Sequence, residues 1–364
     1  MTGAAAREAA PPEPAAAAPL DRSAVERALA PLGTSRTLPA EAYTSPAVFA
    51  WEQARFLAGS WYCVGRAADA GSPHGPAAAS QHRASTATPG EPVAAEVAGV
   101  PVVVERAGDG GLRAAGPGGA PVRLATWHGF VLVDLGGEAP AMGAHAGDLT
   151  GLLAPWEPAR LVAAARQAYV VRANWKLLVE NYHECYHCPS IHPELCRLTP
   201  PDSGRNLAPR GAWVGGAMDL RPDAATMALG GARSARPLPG LDAARLRQVL
   251  YVGLFPNLLV SAHPDYVLTH RLEPLAPGRT RVVCEWLFAP DEVAADGFDP
   301  APAVDFWDVT NRQDWRACES LQRGAASPGY RPGPLAPGED AVHRFVALVA
   351  AGYLGGRPPA SASR

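Results

Sequence analysis

Asn174-Trp-Lys-Leu-Leu-Val-Glu-Asn-Tyr-His-Glu-Cys-Tyr-His-Cys-Pro-Ser-Ile-His192 stands out from the Ala-, Gly-, Pro- and Arg-rich sequence around it. It holds three of the ten histidines, two of the six cysteines, and the single lysine (Lys176) and single isoleucine (Ile191) of a 364-residue chain. Arg supplies every other cation among the 32 Lys and Arg residues, so a position that keeps Lys needs a compact ammonium rather than a planar guanidinium. The apolar spacing predicts a helix over 174–188, stopped by Pro189. On such a helix Lys176, Glu180, Glu184 and His187 fall at i, i+4, i+8 and i+11, one face, with His183 beside them. Leu178, Val179, Tyr182 and Tyr186 take the other side. His192 comes from the turn beyond the proline. On an unbroken helix, side chains five residues apart diverge by about 140°, so the break is what lets His187 and His192 converge.

Downstream, 249–255, 258–263, 266–274 and 280–288 read as successive strands separated by Pro256-Asn257, His263-Pro264-Asp265 and Pro277-Gly278, an antiparallel meander. A long helix follows over 302–324, with Trp307, Asn311, Asp314, Cys318 and Leu321 on one stripe. Strands are also predicted over 161–173 and, within an otherwise irregular 197–245, over 213–220. Upstream lies a smaller β unit. A helix over 45–58 leads into a strand at 60–65 and a Gly/Ser/Pro-rich loop over 67–90. A strand pair over 93–104 turns at Ala98-Gly99; glycine-rich turns over 107–119 precede strand-like 122–135. The fold class is α+β, with four segments. Residues 1–36 are an Ala/Pro-rich disordered N-terminus carrying one short helix capped by Asp21 or Ser23. A β domain spans 37–145, the domain with the meander spans 146–355, and 356–364 is a disordered tail.

Composition excludes several classes. A net charge of −3 with no basic run argues against nucleic acid or an anionic membrane as partner. No run of 18 apolar residues is present to span a bilayer. Six cysteines in this length do not make a disulfide scaffold, and a reduced, cytoplasmic setting is expected.

Two imidazoles and one carboxylate on one face of a metal suit Fe(II) and leave positions open for O2 and substrate. His187, His192 and Asp314 are the candidate ligands, and Glu184, one turn from His187, is placed to bond its other ring nitrogen. Lys176, Glu180, Asn181, His183, Trp213 and Trp307 are candidate pocket residues, and Tyr182, Trp213 and Trp307 a candidate cage for a cation. Blander readings exist for each. Charged helix faces are usually solvated, His192 could be a turn residue, Asp314 could pair with Arg312 or Arg316, and two His with one Asp also serve metal-assisted hydrolysis.

The motif Asn-Trp-Lys-x3-Glu-Asn-x2-Glu-Cys-Tyr-His-Cys-x3-His-Pro-Glu-Leu resembles the iron-site motif of Rieske-type ring-hydroxylating oxygenase α subunits, in the version of the carnitine and glycine-betaine oxygenases. Stretches 38–65, 94–114, 123–131, 255–267 and 305–315 resemble the same family. The resemblance implies a truncated Rieske-like β unit followed by a helix-grip (SRPBCC/START-like) catalytic domain with an antiparallel sheet and a long C-terminal helix. It implies His187, His192 and Asp314 as ligands of a mononuclear Fe(II). It implies Glu184 as the acidic residue bridging to a neighbouring subunit's cluster, and O2-dependent hydroxylation or demethylation of a small molecule, here a quaternary ammonium or N-methyl compound. Family members also bind a [2Fe–2S] cluster through Cys-x-His and Cys-x2-His. No cysteine lies between Cys63 and Cys185, and no such pair of motifs is present. The cluster lobe is therefore expected to be missing. Electrons would come from an external donor, whether a reductase, a ferredoxin or a Rieske-bearing homologue in a homo- or hetero-oligomer. The rival expectation is a non-catalytic, degenerate helix-grip binding protein.

Overall fold

Two antiparallel sheets make up the core: the first combines buried strands with outer strands that alternate, and the second is built around apolar central strands. The computed structural model describes residues 17–70 and 92–356. The first sheet contains β1 (Tyr62–Arg66), β2 (Val93–Val97), β3 (Val100–Arg106), β4 (Leu112–Ala115), β5 (Pro121–Trp127) and β6 (Phe130–Asp134), in the order β1-β6-β5-β4-β3-β2. Its outer strands bury every second residue, as β3 does with Val102 and Val104. The β2–β3 turn uses Ala98 and Gly99 at positive φ, the two-residue hairpin geometry that matches strand twist. The predicted turns over 107–119 are only partly that. Leu112–Ala115 is a strand, because Ala114 pairs with Val104 on one side and Val122 on the other. A tight Gly116–Ala120 turn then leads straight into β5.

The second sheet contains β7 (Val162–Val171), β8 (Arg205–Asn206), β9 (Trp213–Asp219), β10 (Gln248–Leu254), β11 (Leu258–Ala262), β12 (Val267–Ala276) and β13 (Arg279–Phe288), in the order β7-β13-β12-β11-β10-β9-β8. The predicted meander is β10 to β13. Its central strand β11 is buried throughout, because the β unit and the 142–160 segment cover one face while helices cover the other.

The two sheets are joined by buried polar contacts. Asn257 accepts from Cys63 N and donates to Cys63 O, both at 2.9 Å, and also donates to Leu272 O at 3.1 Å. Arg66 donates to Pro158 O and Leu161 O at 2.7 and 3.0 Å. At Gly129 (φ +81°) a Cβ would stand 2.7 Å from Ala159 Cα, so this corner admits only glycine. No helix among the described residues is long and apolar enough to cross a membrane.

Two expectations change at the ends of the chain. Residues 1–16 lie outside the described residues, but 17–36 are folded: Asp21 caps the helix Arg22–Ala28, whose Val25 and Ala28 are buried. Most of the predicted 67–90 loop, and all of the tail but Gly356, lie outside the described residues. The helix Asp340–Gly355 has no counterpart among the predicted elements. Its apolar residues run nearly all round, so no amphipathic period marks it.

That last helix completes the environment of Lys176. The ammonium has no exposure and donates to Glu52 Oε1 at 2.6 Å. Glu52, equally buried, also accepts from Trp175 Nε1 at 2.9 Å and from the Tyr353 hydroxyl. The rings of Trp175 and Tyr43 lie 5.0 and 5.8 Å from Nζ. One ion pair therefore links the N-terminal helices, the motif helix and the last helix. Lys176→Met should lower stability by about 3–5 kcal/mol, the cost of leaving a buried carboxylate unpaired. Lys176→Met with Glu52→Leu should recover part of that loss, as read from urea midpoints.

Candidate metal centre

Asn174 caps the helix Trp175–Tyr182 by accepting from Lys176 N at 3.1 Å. The helix ends earlier than its apolar period predicts. His183 closes it (φ −101°, ψ 12°), and residues 184–187 form a turn spanned by a Cys185–Cys188 disulfide. Pro189 does not stop a helix but sits in the first turn of a new one, Cys188–Ile191, where its missing N–H costs nothing. Pro193 opens a third, Pro193–Leu198, and leaves His192 in the link between them (φ −118°, ψ 68°). The predicted single face is thus split. Lys176 and Glu180 point into the protein, and Glu184 and His187 into the site.

Asp314 reaches the same point from the middle of the helix Ala301–Ala325. His187 Nε2 lies 3.1 Å from His192 Nε2 and 3.3 Å from Asp314 Oδ1, and His192 Nε2 lies 2.9 Å from Asp314 Oδ1. With metal bonds of about 2.1 Å, donors at right angles stand about 3.0 Å apart. The three donors therefore fit three adjacent positions on one divalent ion. Among the described residues this is the one such cluster of three or more His, Cys, Asp or Glu.

The other ring nitrogens are held. His187 Nδ1 bonds Glu184 Oε1, and His192 Nδ1 bonds Gln313 Oε1 at 2.7 Å. Both acceptors hold a proton on Nδ1, so Nε2 is the nitrogen turned inward, the one a metal would take in place of a proton. Burial opposes a charge on His187, but the bonds from Asp314 and Glu184 outweigh it and raise the metal-free imidazole to about 9. Burial likewise opposes a charge on Asp314, and its two histidines hold it below the usual carboxylate range.

The triad faces a cavity of about 550 Å³. Tyr182, Tyr251 and Trp307 present aromatic rings to it; Tyr182 to Tyr251 is 5.9 Å and Tyr251 to Trp307 6.4 Å between ring centroids. Glu184, Asp202 and Asp314 are its carboxylates, and none of its described lining residues is Lys or Arg.

Several expected pocket residues lie elsewhere. Lys176 is bound to Glu52. Glu180 accepts from Tyr43 at 3.0 Å, and burial pushes its carboxyl up to about 7 against the Tyr43 bond and the Lys176 charge. Trp213 donates to Asp148 at 2.8 Å within the second core cluster, so it is not part of a cage. His183 borders the cavity but stays outside the triad; its Nε2 would stand 2.5 Å from a Cβ at Gly253, and burial lowers it to about 3, a neutral ring. Asn181 reaches His187 Nδ1 at 3.5 Å, and Trp307 lines the cavity while donating to Tyr266 at 2.7 Å. Leu321 leaves the stripe and is 53% exposed. Gln313 and Tyr251 were not legible, since neither stands in a metal-like spacing. The six cysteines form no scaffold, but Cys185 and Cys188 pair, a bond that the expected reduced setting did not suggest; the turn brings their Cα atoms to 4.9 Å, within bonding reach. Cys-x2-Cys was the available signal.

The profile of the ring hydroxylating alpha subunit family (catalytic domain) matches residues 158–354. A glycine betaine monooxygenase oxygenase subunit of Chromohalobacter salexigens is 30% identical over 249 residues, 59% of this chain and 54% of that protein. The chloroplastic choline monooxygenase of Arabidopsis thaliana is 26% identical, over 63% and 54%. The chain thus spans about half the length of the curated relatives it matches. A crystal structure of a quaternary ammonium Rieske monooxygenase superposes with a TM-score of 0.72 at 20% identity, covering 93% of this chain and all of that one. Naphthalene 1,2-dioxygenase from Rhodococcus sp. gives 0.70 at 16%, covering 92% and 98%. At these identities the structures show a shared fold.

Two outcomes follow from the geometry. Gln313→Leu and Glu184→Ala keep all three donors but free an imidazole, and each should weaken Co(II) or Fe(II) binding by about 10–100-fold in calorimetric titration. A buried carboxyl raised to about 7 favours folding fully below its ordinary pKa of 4.5, and loses that contribution as pH rises towards 7. Glu180→Gln should therefore gain about 2 kcal/mol over the unchanged protein between pH 5 and pH 8 in urea unfolding.

Proposed function

The chain belongs to the ring hydroxylating alpha subunit family, and on that premise we propose that it is a mononuclear non-haem Fe(II) oxygenase that hydroxylates an N-methyl carbon of a small cationic amine. The observation that carries this reading is the cavity: a two-histidine, one-carboxylate triad opens onto aromatic rings and two further carboxylates, Glu184 and Asp202, with no Lys or Arg among the described lining residues. Such walls favour a quaternary ammonium, through ring faces and acidic groups, over an anion. The names of relatives that act on glycine betaine and choline agree with it.

Each residue has a role in this reading. His187, His192 and Asp314 would hold the ion, which when bound would supply O2 activation. Glu184 and Gln313 keep both imidazoles turned inward. Tyr182, Tyr251 and Trp307 hold the ammonium and set one methyl toward the triad, and the apolar rings keep bulk water away from it. Hydroxylation of the methyl carbon leaves an N–CH2OH group, which releases formaldehyde when its hydroxyl proton is lost. The overall change consumes O2, two electrons and two protons per hydroxyl formed. The β unit has no Cys-x-His and Cys-x2-His pair, and β4 runs into β5 through a short turn. Both support an electron source outside this chain, a soluble reductant or a cluster-bearing partner.

Purified protein loaded anaerobically with Fe(II) should carry one iron per chain. His187→Ala and Asp314→Ala should lose it. With hydrogen peroxide, which carries both the oxygen and the two electrons, glycine betaine, choline or carnitine should yield formaldehyde. A chain that binds no iron overturns this reading and leaves the cavity as a binding site alone.

A further inference from the structure

We propose that Cys185 and Cys188 form a redox-active dithiol–disulfide pair that takes electrons from an external dithiol and delivers them to the metal centre. The proposal rests on the oxygenase reading above and names the entry point for its electrons.

Three observations carry it. Cys188 follows the ligand His187 directly and Cys185 stands two residues before it, and both line the cavity. Their surroundings differ in a directed way. Cys185 is part-exposed and next in the chain to Tyr186, which is 75% exposed, whereas Cys188 is 3% exposed and its Sγ lies 3.9 Å from His187 Nε2. Cys185 is thus the more accessible of the two to a reductant, and the sulfur of Cys188 lies beside a donor atom of the triad. The disulfide is also a poor staple, because it spans only three residue steps. Closing so short a loop removes little freedom from the unfolded chain. Cys-x2-Cys is instead the spacing of thiol–disulfide exchange sites.

The chemistry balances. An external dithiol attacks Cys185 Sγ through one of its thiolates, forming a mixed disulfide and freeing Cys188. Its second thiol then closes the reductant's own disulfide and frees Cys185. The two protein thiols later rejoin as a disulfide, releasing two electrons and two protons. One O2 and one substrate C–H bond take up those two electrons and two protons and give one C–OH and one water. A single pair therefore holds the electrons of one turnover, the quantity that this chain has no [2Fe–2S] motif to supply.

The test uses the full chain, reduced with dithiothreitol, freed of excess reductant and loaded with Fe(II). After exposure to O2, differential alkylation and mass spectrometry report each cysteine. Closure of Cys185–Cys188 should depend on bound iron, while Cys196, the other part-exposed cysteine, stays reduced. Closure at the same rate in protein stripped of iron by a chelator overturns the proposal, as does a pair that dithiothreitol cannot open. With glycine betaine and O2, formaldehyde should match disulfide formed, one for one. Cys185→Ser that keeps its iron should lose dithiothreitol-driven formaldehyde, and product at the unchanged rate overturns the proposal. If that variant loses iron, the alkylation result on the unchanged chain decides. Failure of peroxide to give formaldehyde counts against the oxygenase reading instead, and the iron-dependence of closure then decides for or against the pair.

Discussion

The Glu52–Lys176 pair is the contact on which the rest of the molecule depends. An ammonium and a carboxylate, both without exposure, hold each other at 2.6 Å with Trp175 and Tyr353 completing the carboxylate's bonds. Each charge is tolerable only because the other is there. The pair pins the start of the motif helix to two other segments of the chain. Asn174 adds a second anchor, its N–H donating to Gln322 at 2.8 Å on the helix that carries Asp314. The positions of all three triad donors follow from these two fixed points. A guanidinium is larger and planar, which gives a physical reason for one lysine surviving in an arginine-rich chain.

From that anchored start, the site is made by failures of regular structure. Two prolines, each at the beginning of a short helix, and one interrupted turn place the inner nitrogens of His187 and His192 side by side at one point. Their outward nitrogens are tied to Glu184 and Gln313, one from the same turn and one from the distant helix. The same turn brings Cys185 and Cys188 together. Ligand placement and sulfur pairing are therefore one local geometry, and a change in either would be felt by the other.

The cavity is equally a product of assembly. Tyr182 comes from the motif helix, Tyr251 from β10 and Trp307 from the long helix, and only their packing turns three core-like aromatics into three faces of one chamber. Trp213 shows the converse. It has the residue type of a cage wall, yet it is spent on Asp148 and the second core cluster.

Sequence alone determined the α+β class, the β10–β13 meander, the long helix and the identity of the three converging donors. The elements rest on short-range periodicity and turn chemistry, written in neighbouring residues; the donors rest on an unusual local composition together with the family resemblance that joins Asp314 to the two histidines. Tertiary structure alone decided where Lys176 and Glu180 point, because a helical face has no inside until something packs on it. It also decided that Gln313 orients His192, that Tyr251 borders the cavity, that Leu112–Ala115 is a strand and that Asp340–Gly355 is a helix. In most of these the partner is dozens of residues or more away in the chain, or the local pattern is uniform; Leu112–Ala115 has near partners, Val104 and Val122, but is too short and glycine-flanked to read as a strand by itself. The 3.9 Å between Cys188 and His187 belongs to the same class: the two are neighbours in the chain, but only the break after the helix sets the sulfur beside the ring nitrogen that faces the triad.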